Sequence, residues 1–184
     1  MLAPNVVGRT AAAIETKMRQ SGGHPWNEES FRAEASSRCS AEEMALVDAL
    51  LDDATRRGVK LSWGAGVSAG VCGWYQVAGR PTGVWILQTG RGDAGPPRLE
   101  LRLGGVVQRL ADAEIGLERI EAACRHMESI PAVAGKIGLA RAAGWIKYPQ
   151  FLLRQLVAYG QAVERVLETV RKLADPSDAT TSDA

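Results

Sequence analysis

The stretch Val59-Lys60-Leu61-Ser62-Trp63-Gly64-Ala65-Gly66, continued to Leu103, decides the fold. Val59, Leu61 and Trp63 alternate with Lys60 and Ser62. This two-residue period marks a half-buried strand, because successive side chains leave opposite faces of the backbone. A glycine-rich connection from Gly64 to Gly70 leads to a second strand over about Val71 to Val77. Ala78-Gly79-Arg80-Pro81 is a turn, and a third strand covers Gly83 to Thr89. The loop from Gly90 to Pro97 has too much glycine and proline for a central strand. Arg98 to Leu103 alternates most cleanly: Leu99, Leu101 and Leu103 face one way, and Arg98, Glu100 and Arg102 the other. Short links between consecutive strands favour an antiparallel meander.

Helical patterns flank the strands. On the N-terminal side, Thr10 to Gln20 predicts a short helix stopped by Ser21-Gly22-Gly23. Asn27 suits an N-cap for a helix over Glu28 to Ser37, with Glu28 and Glu29 in the turn where the dipole favours acids. Trp26 and Phe31 are expected to pin this arm to the main body or to a partner chain. Ser40 and Glu43 have capping-box spacing, and the helix they open runs to Arg57 with Gly58 at its C′ position. Met44, Val47, Leu50, Leu51 and Ala54 form its apolar stripe.

On the C-terminal side, a helix is expected over about Asp112 to Glu128, striped by Leu117, Ile120, Cys124 and Met127. Residues 132–148 are ambiguous: Lys136 to Arg141 fit one more strand, and Gly144 to Tyr148 a loop. Tyr148-Pro149 is expected to open a last helix reaching about Leu173, broad enough to cover a sheet and to meet a second copy. Residues 175–184 carry no apolar side chain beyond alanine and are expected to be a disordered tail. The predicted fold class is α+β: an antiparallel four- to five-stranded meander with helices packed on one face, and an N-terminal helical arm. The expected division is an arm over 1–39, one domain over 40–174, and the tail.

At 184 residues, 46% apolar and 23% charged, the chain has the composition of one ordinary globular domain. A net charge of +1 excludes action through bulk electrostatics, so any nucleic-acid contact needs a local basic patch. The three cysteines, Cys39, Cys72 and Cys124, are far apart and make no C-x-x-C pair. That argues against a disulfide framework. With no signal pattern and no apolar run of membrane-spanning length, the expectation is a cytoplasmic protein without membrane contact.

Chemical motifs are weak. Gly64-Ala65-Gly66 with Gly70 resembles a phosphate fingerprint, but a strand follows where a helix N-terminus is needed. His24 and His126 are the only histidines, and neither has a ligand at zinc spacing. No metal or cofactor is expected. Asp93 followed by Glu100-Leu101-Arg102 is the nearest match to a metal-dependent nuclease, but arginine stands where a lysine is needed and keeps its proton. Arg91-Gly92-Asp93 is read as coincidence. No catalytic residue is assigned.

A surface carries more than any motif. If the leucine row is dry, Arg98 and Arg102 face water, and Lys60 joins them from the first strand. Trp74 and Trp85 lie on strands as candidate aromatic platforms, and Trp85 is the one assigned. A basic sheet face with aromatic platforms suits backbone phosphates and single strands. The competing reading has these arginines as solvated residues, with Glu100 as a cross-strand partner. A third possibility is a small-molecule pocket between sheet and helices, lined by Trp63, Trp74 and Tyr75.

Trp26-Asn27-Glu28-Glu29-Ser30-Phe31, the Ser40 capping box and Arg57-Gly58-Val59-Lys60-Leu61-Ser62-Trp63-Gly64-Ala65-Gly66, taken together, resemble a bacterial family pattern. It is similar to a family of small uncharacterised bacterial α+β proteins with a W-x-E-E-S-F arm and an R-G-x-x-x-x-W-G-x-G strand. Met127 to Pro131 and the long last helix also fit, so the resemblance spans residues 26–173. The chain departs from the pattern after Gly66 and over Lys136 to Tyr148. Related domains stand beside nuclease-like and restriction-type proteins, so the resemblance implies a nucleic-acid or defence association and transfers no catalytic residue. The expected function is a non-enzymatic binding module for nucleic acid or a nucleic-acid-processing partner. The alternatives are a homodimeric interaction module and a small-molecule binder.

Overall fold

The computed structural model describes residues 24–90 and 95–174. The expected helix over 10–20, the residues Arg91 and Asp93, and the tail over 175–184 lie outside the described residues. A two-residue strand β1 (His24–Pro25) leads to α1 (Glu28–Ser36) and α2 (Ala41–Arg56). Strands β2 (Lys60–Trp63), β3 (Ala65–Gly66), β4 (Gly70–Val77), β5 (Arg80–Gln88) and β6 (Arg98–Leu101) follow. Then come α3 (Leu103–Asp112), α4 (Glu118–Glu128), α5 (Pro131–Ala142), β7 (Gln150–Leu152), α6 (Leu153–Val157) and α7 (Ala162–Leu173). The fold is α+β, and its main sheet is antiparallel with strand order β2-β4-β5-β6-β7.

Local chemistry explains the first half. Asn27 accepts from the Ser30 amide at 2.8 Å, and the Ser30 hydroxyl accepts from the Asn27 amide at 3.0 Å. The Ser40–Glu43 box closes in the same way, and Gly58 takes the positive φ of a helix C′ residue. Between β4 and β5, Ala78 and Gly79 both have positive φ, as a two-residue I′ hairpin turn requires.

Alternation sorts the sheet into two faces. Val71, Tyr75, Val77, Trp85, Leu87, Leu99, Leu101 and Phe151 point into the core and are buried. They meet Leu46, Leu50 and Leu51 of α2, Cys124 and Met127 of α4, and Val166 and Val170 of α7. The Trp85 indole donates to the Tyr75 hydroxyl at 3.0 Å, so both buried polar atoms are satisfied. Phe31 and Ala35 of α1 are buried in this core, Phe31 lies 5.5 Å from the Trp63 ring, and the Trp26 indole donates to the Gly66 carbonyl at 2.9 Å. The described part of the arm is therefore pinned to the body of the same chain.

The second half departs from expectation in four places. The strand starting at Arg98 stops at Leu101, and Leu103 opens α3, a helix the sequence did not announce because Gly104-Gly105 lowers its propensity. The helix expected from Asp112 begins only at Glu118, after a break in which Glu114 has positive φ. Lys136 to Arg141 are helical within α5, not a strand; Pro131 sits at its N1 position, and Val133, Ile137 and Ala140 are buried at helical spacing. The last helix is not continuous: Gln150–Leu152 adds to the sheet edge, α6 is short, and Gln161 takes a left-handed conformation before α7.

Antiparallel α4 and α7 cap one another. Arg119 in the first turn of α4 donates to the Lys172 and Ala174 carbonyls at the end of α7. Arg165, near the start of α7, donates to the His126 carbonyl and the Ser129 hydroxyl at the end of α4. Each cation meets the carbonyls that a helix end leaves unpaired. Asp53 of α2 is buried and accepts from Arg171 of α7 at 2.6 Å, tying these helices together.

Candidate functional site

The other face of the sheet has no buried side chain in its paired positions. Register sets its members: Lys60 lies opposite Trp74, Ser62 opposite Cys72, and Cys72 opposite Ile86. Gln88 lies opposite Arg98, and Glu100 sits between Ile86 and Gln150. All of these are exposed or half-buried. Trp74 stands near the middle at 40% exposure. Its cross-strand partner is Gly83, which has no side chain to contest the space. A Cβ there would lie 3.0 Å from the Cys72 sulfur, 3.8 Å from Arg102 Cδ and 4.0 Å from Trp74 Cε2. Three side chains thus converge above one glycine.

Trp74 is shared by two hollows. One, of about 480 Å³, is lined by Arg57, Lys60, Ser62, Trp74, Gln76 and Pro81. The other, of about 290 Å³, has Cys72, Trp74, Gly83 and Arg102 on the sheet side and Gln108 and Arg109 from α3. Arg102 then joins this second hollow to Tyr148, with its guanidinium 4.8 Å from the ring centre. Tyr148 lines a third hollow of about 280 Å³ with Lys136, Leu139, Lys147 and Gln150.

The charges on this surface differ in availability. Arg57 is 3.3 Å from Asp53, and Arg109 is 3.7 Å from Asp112, so both are partly neutralised. Glu100 accepts from the Gln150 amide at 2.8 Å. Lys60, Arg102 and Lys147 make no ion pair among the described residues. Burial pushes the Cys72 thiol up to about 11, with Arg102 pulling down and Glu100 pushing up. Little of it is thiolate at neutral pH, which disfavours a nucleophilic role.

Lys60, Arg98 and Arg102 share this face, as their alternation predicts. Arg98 is half-buried with its Nε shielded from solvent, so Lys60 and Arg102 are better presented. Trp85 is a correction. It is 0% exposed, points into the core and lies across Gly73, where a Cβ would come within 2.5 Å of its ring. Gly73 lies opposite Trp85 on the core side and Trp74 opposite Gly83 on the outer side, with a register shift between these pairs that leaves Val84 as the extra residue of β5.

The aromatic pocket of Trp63, Trp74 and Tyr75 is also corrected. Tyr75 is buried and bonded to Trp85, Trp63 packs on Phe31, and Trp74 leaves the sheet on the opposite side from Tyr75. Sequence reasoning missed Arg57 and Tyr148. Tyr148 gave no signal, because only the pairing of β6 with β7 brings it to Arg102.

Among the described residues, no group of three or more His, Cys, Asp or Glu side chains could hold a metal ion. Of the nuclease-like pattern, Glu100 is engaged by Gln150, Arg102 lies on Tyr148, and Asp93 is outside the described residues. No helix among the described residues is long and apolar enough to cross a membrane. No family model, no curated protein and no solved structure matches the chain.

Proposed function

We propose that this protein is a non-enzymatic binding module whose open sheet face takes up nucleic acid through its phosphates. One observation carries this: Lys60 and Arg102, cations without a carboxylate partner among the described residues, flank the exposed Trp74 on one sheet face. In a chain whose net charge is +1, local concentration of positive charge is what such binding requires. Arg98 contributes from the margin. Free Cys39, Cys72 and Cys124 support a reducing, cytoplasmic setting. The resemblance of the arm and first strand to a bacterial family adds an association with nucleic-acid-processing, defence-type partners.

Fluorescence anisotropy with a labelled strand at several salt concentrations tests this. Binding is expected at low salt and should weaken steeply as salt rises. Lys60→Ala with Arg102→Ala should flatten the log–log salt slope by about 1.4, two single-strand phosphate contacts. A slope unchanged by the double substitution, or no binding at low salt, would remove the function.

A second reading, a homodimer, gains from Leu139 and Ile146, which are 65% and 67% exposed beside Tyr148. It loses the last helix as its interface, because Val166, Val170 and Leu173 of α7 are buried within the chain. Light scattering over a concentration series separates a dimer from a monomer.

A further inference from the structure

We infer that the bound nucleic acid is single-stranded and is held by base stacking, one base on Trp74 and another on Tyr148, with a phosphate on Arg102 between them. This rests on the nucleic-acid function proposed above and names its substrate class.

Three aromatic rings among the described residues are markedly exposed: Trp74, Tyr148 and Tyr159. Two of them flank the same arginine. Arg102 lines the hollow that Trp74 borders, and its guanidinium lies 4.8 Å from the Tyr148 ring centre. Lys60 lies opposite Trp74 on the outer side, and Lys147 lines the third hollow with Tyr148. Each ring therefore has cations beside it: Lys60 and Arg102 by Trp74, Arg102 and Lys147 by Tyr148. That matches the alternation of phosphate and base in one unpaired strand. A duplex keeps its base faces covered by their neighbours, so exposed rings gain nothing from it. The hollows on both sides of Trp74 leave room beside its ring. Glu100, the acid on this face, is engaged by Gln150. Stacking needs only a π-face, so sequence preference is expected to be slight.

Full-length protein would be titrated into three labelled probes of about 12 nucleotides: oligothymidylate, a duplex, and an abasic backbone of equal charge. The single strand is expected to bind at least 10-fold tighter than either of the others. Trp74→Ala and Tyr148→Ala should each weaken it about 10-fold, while Trp74→Phe retains most of the affinity. Equal, salt-dependent binding of all three probes would overturn stacking and leave the phosphate-binding function standing. No binding of any probe would remove both. If the protein dimerises and Leu139→Ser or Ile146→Ser both frees the monomer and uncovers Tyr148, the Tyr148 end belongs to a second copy and the two-ring path fails. The three-probe comparison uses unaltered protein, so it decides even if a substitution disturbs folding.

Discussion

Tyr75 and Trp74 are neighbours in β4, yet alternation sends one into the core and the other to solvent. Tyr75 is held by the Trp85 indole, and burial, partly offset by that bond, pushes its hydroxyl up to about 12. Tyr75→Phe leaves the buried indole N–H without its acceptor and should cost about 1–3 kcal/mol in urea unfolding at pH 7. The pH dependence has a definite sign. A group whose pKa is raised by folding stabilises fully below its unfolded value, near 10, and that contribution is lost as pH rises through about 12. The stability gap between wild type and Tyr75→Phe should therefore narrow as pH rises across that window. A gap constant with pH would mean that Tyr75 is not held neutral in the folded state.

At the scale of elements, the break between α6 and α7 is the clearest test of the C-terminal architecture. Gln161 has a φ of 64°, which a non-glycine residue adopts at a cost of about 1–2 kcal/mol. Gln161→Gly is expected to raise stability by about 0.5–1 kcal/mol. In an unbroken helix the same substitution would lower it by about 1 kcal/mol. The sign of the change in thermal or urea unfolding thus distinguishes the two architectures. The break is useful to the fold: it lets Gln150–Leu152 serve as the sheet edge while α7 turns back over α4.

For the molecule as a whole, the described part of the N-terminal arm belongs to the core through α1. Phe31 is buried against Trp63 in the same cluster as the sheet and the long helices. Phe31→Ala should cost about 3–5 kcal/mol, read as a lowered urea midpoint at unchanged denaturant slope. Unaltered stability would mean that the arm packs elsewhere, on a partner. Among the described residues the buried helix faces meet the other side of the sheet, while on the surface from Lys60 to Tyr148 α3 and α5 only border the hollows, and that asymmetry is what the proposed function uses.

Alternation and capping were legible without a structure. The short strand β3 and the reciprocal Ser30 bond at Asn27 do not follow from periods and spacings within a few residues, whereas strands β2, β4, β5 and β6, the Asn27 N-cap, the Ser40–Glu43 capping box and the dry leucine row of Leu99 and Leu101 did. So did the shared face of Lys60, Arg98 and Arg102, because parity along a strand decides its side. What needed the tertiary structure was everything set by contacts distant in sequence. Parity sets Trp85 with Leu87 and Trp74 with Cys72, but only the pairing of Trp85 with Leu101 shows which of the two parities is the core one. The pairing of β6 with β7 carried Tyr148 to Arg102 and took Gln150–Leu152 from the start of the expected last helix. Residues 131–142 became helical once Val133, Ile137 and Ala140 found a core to face. Local sequence dictates which way a side chain leaves its own strand; only packing decides what arrives beside it.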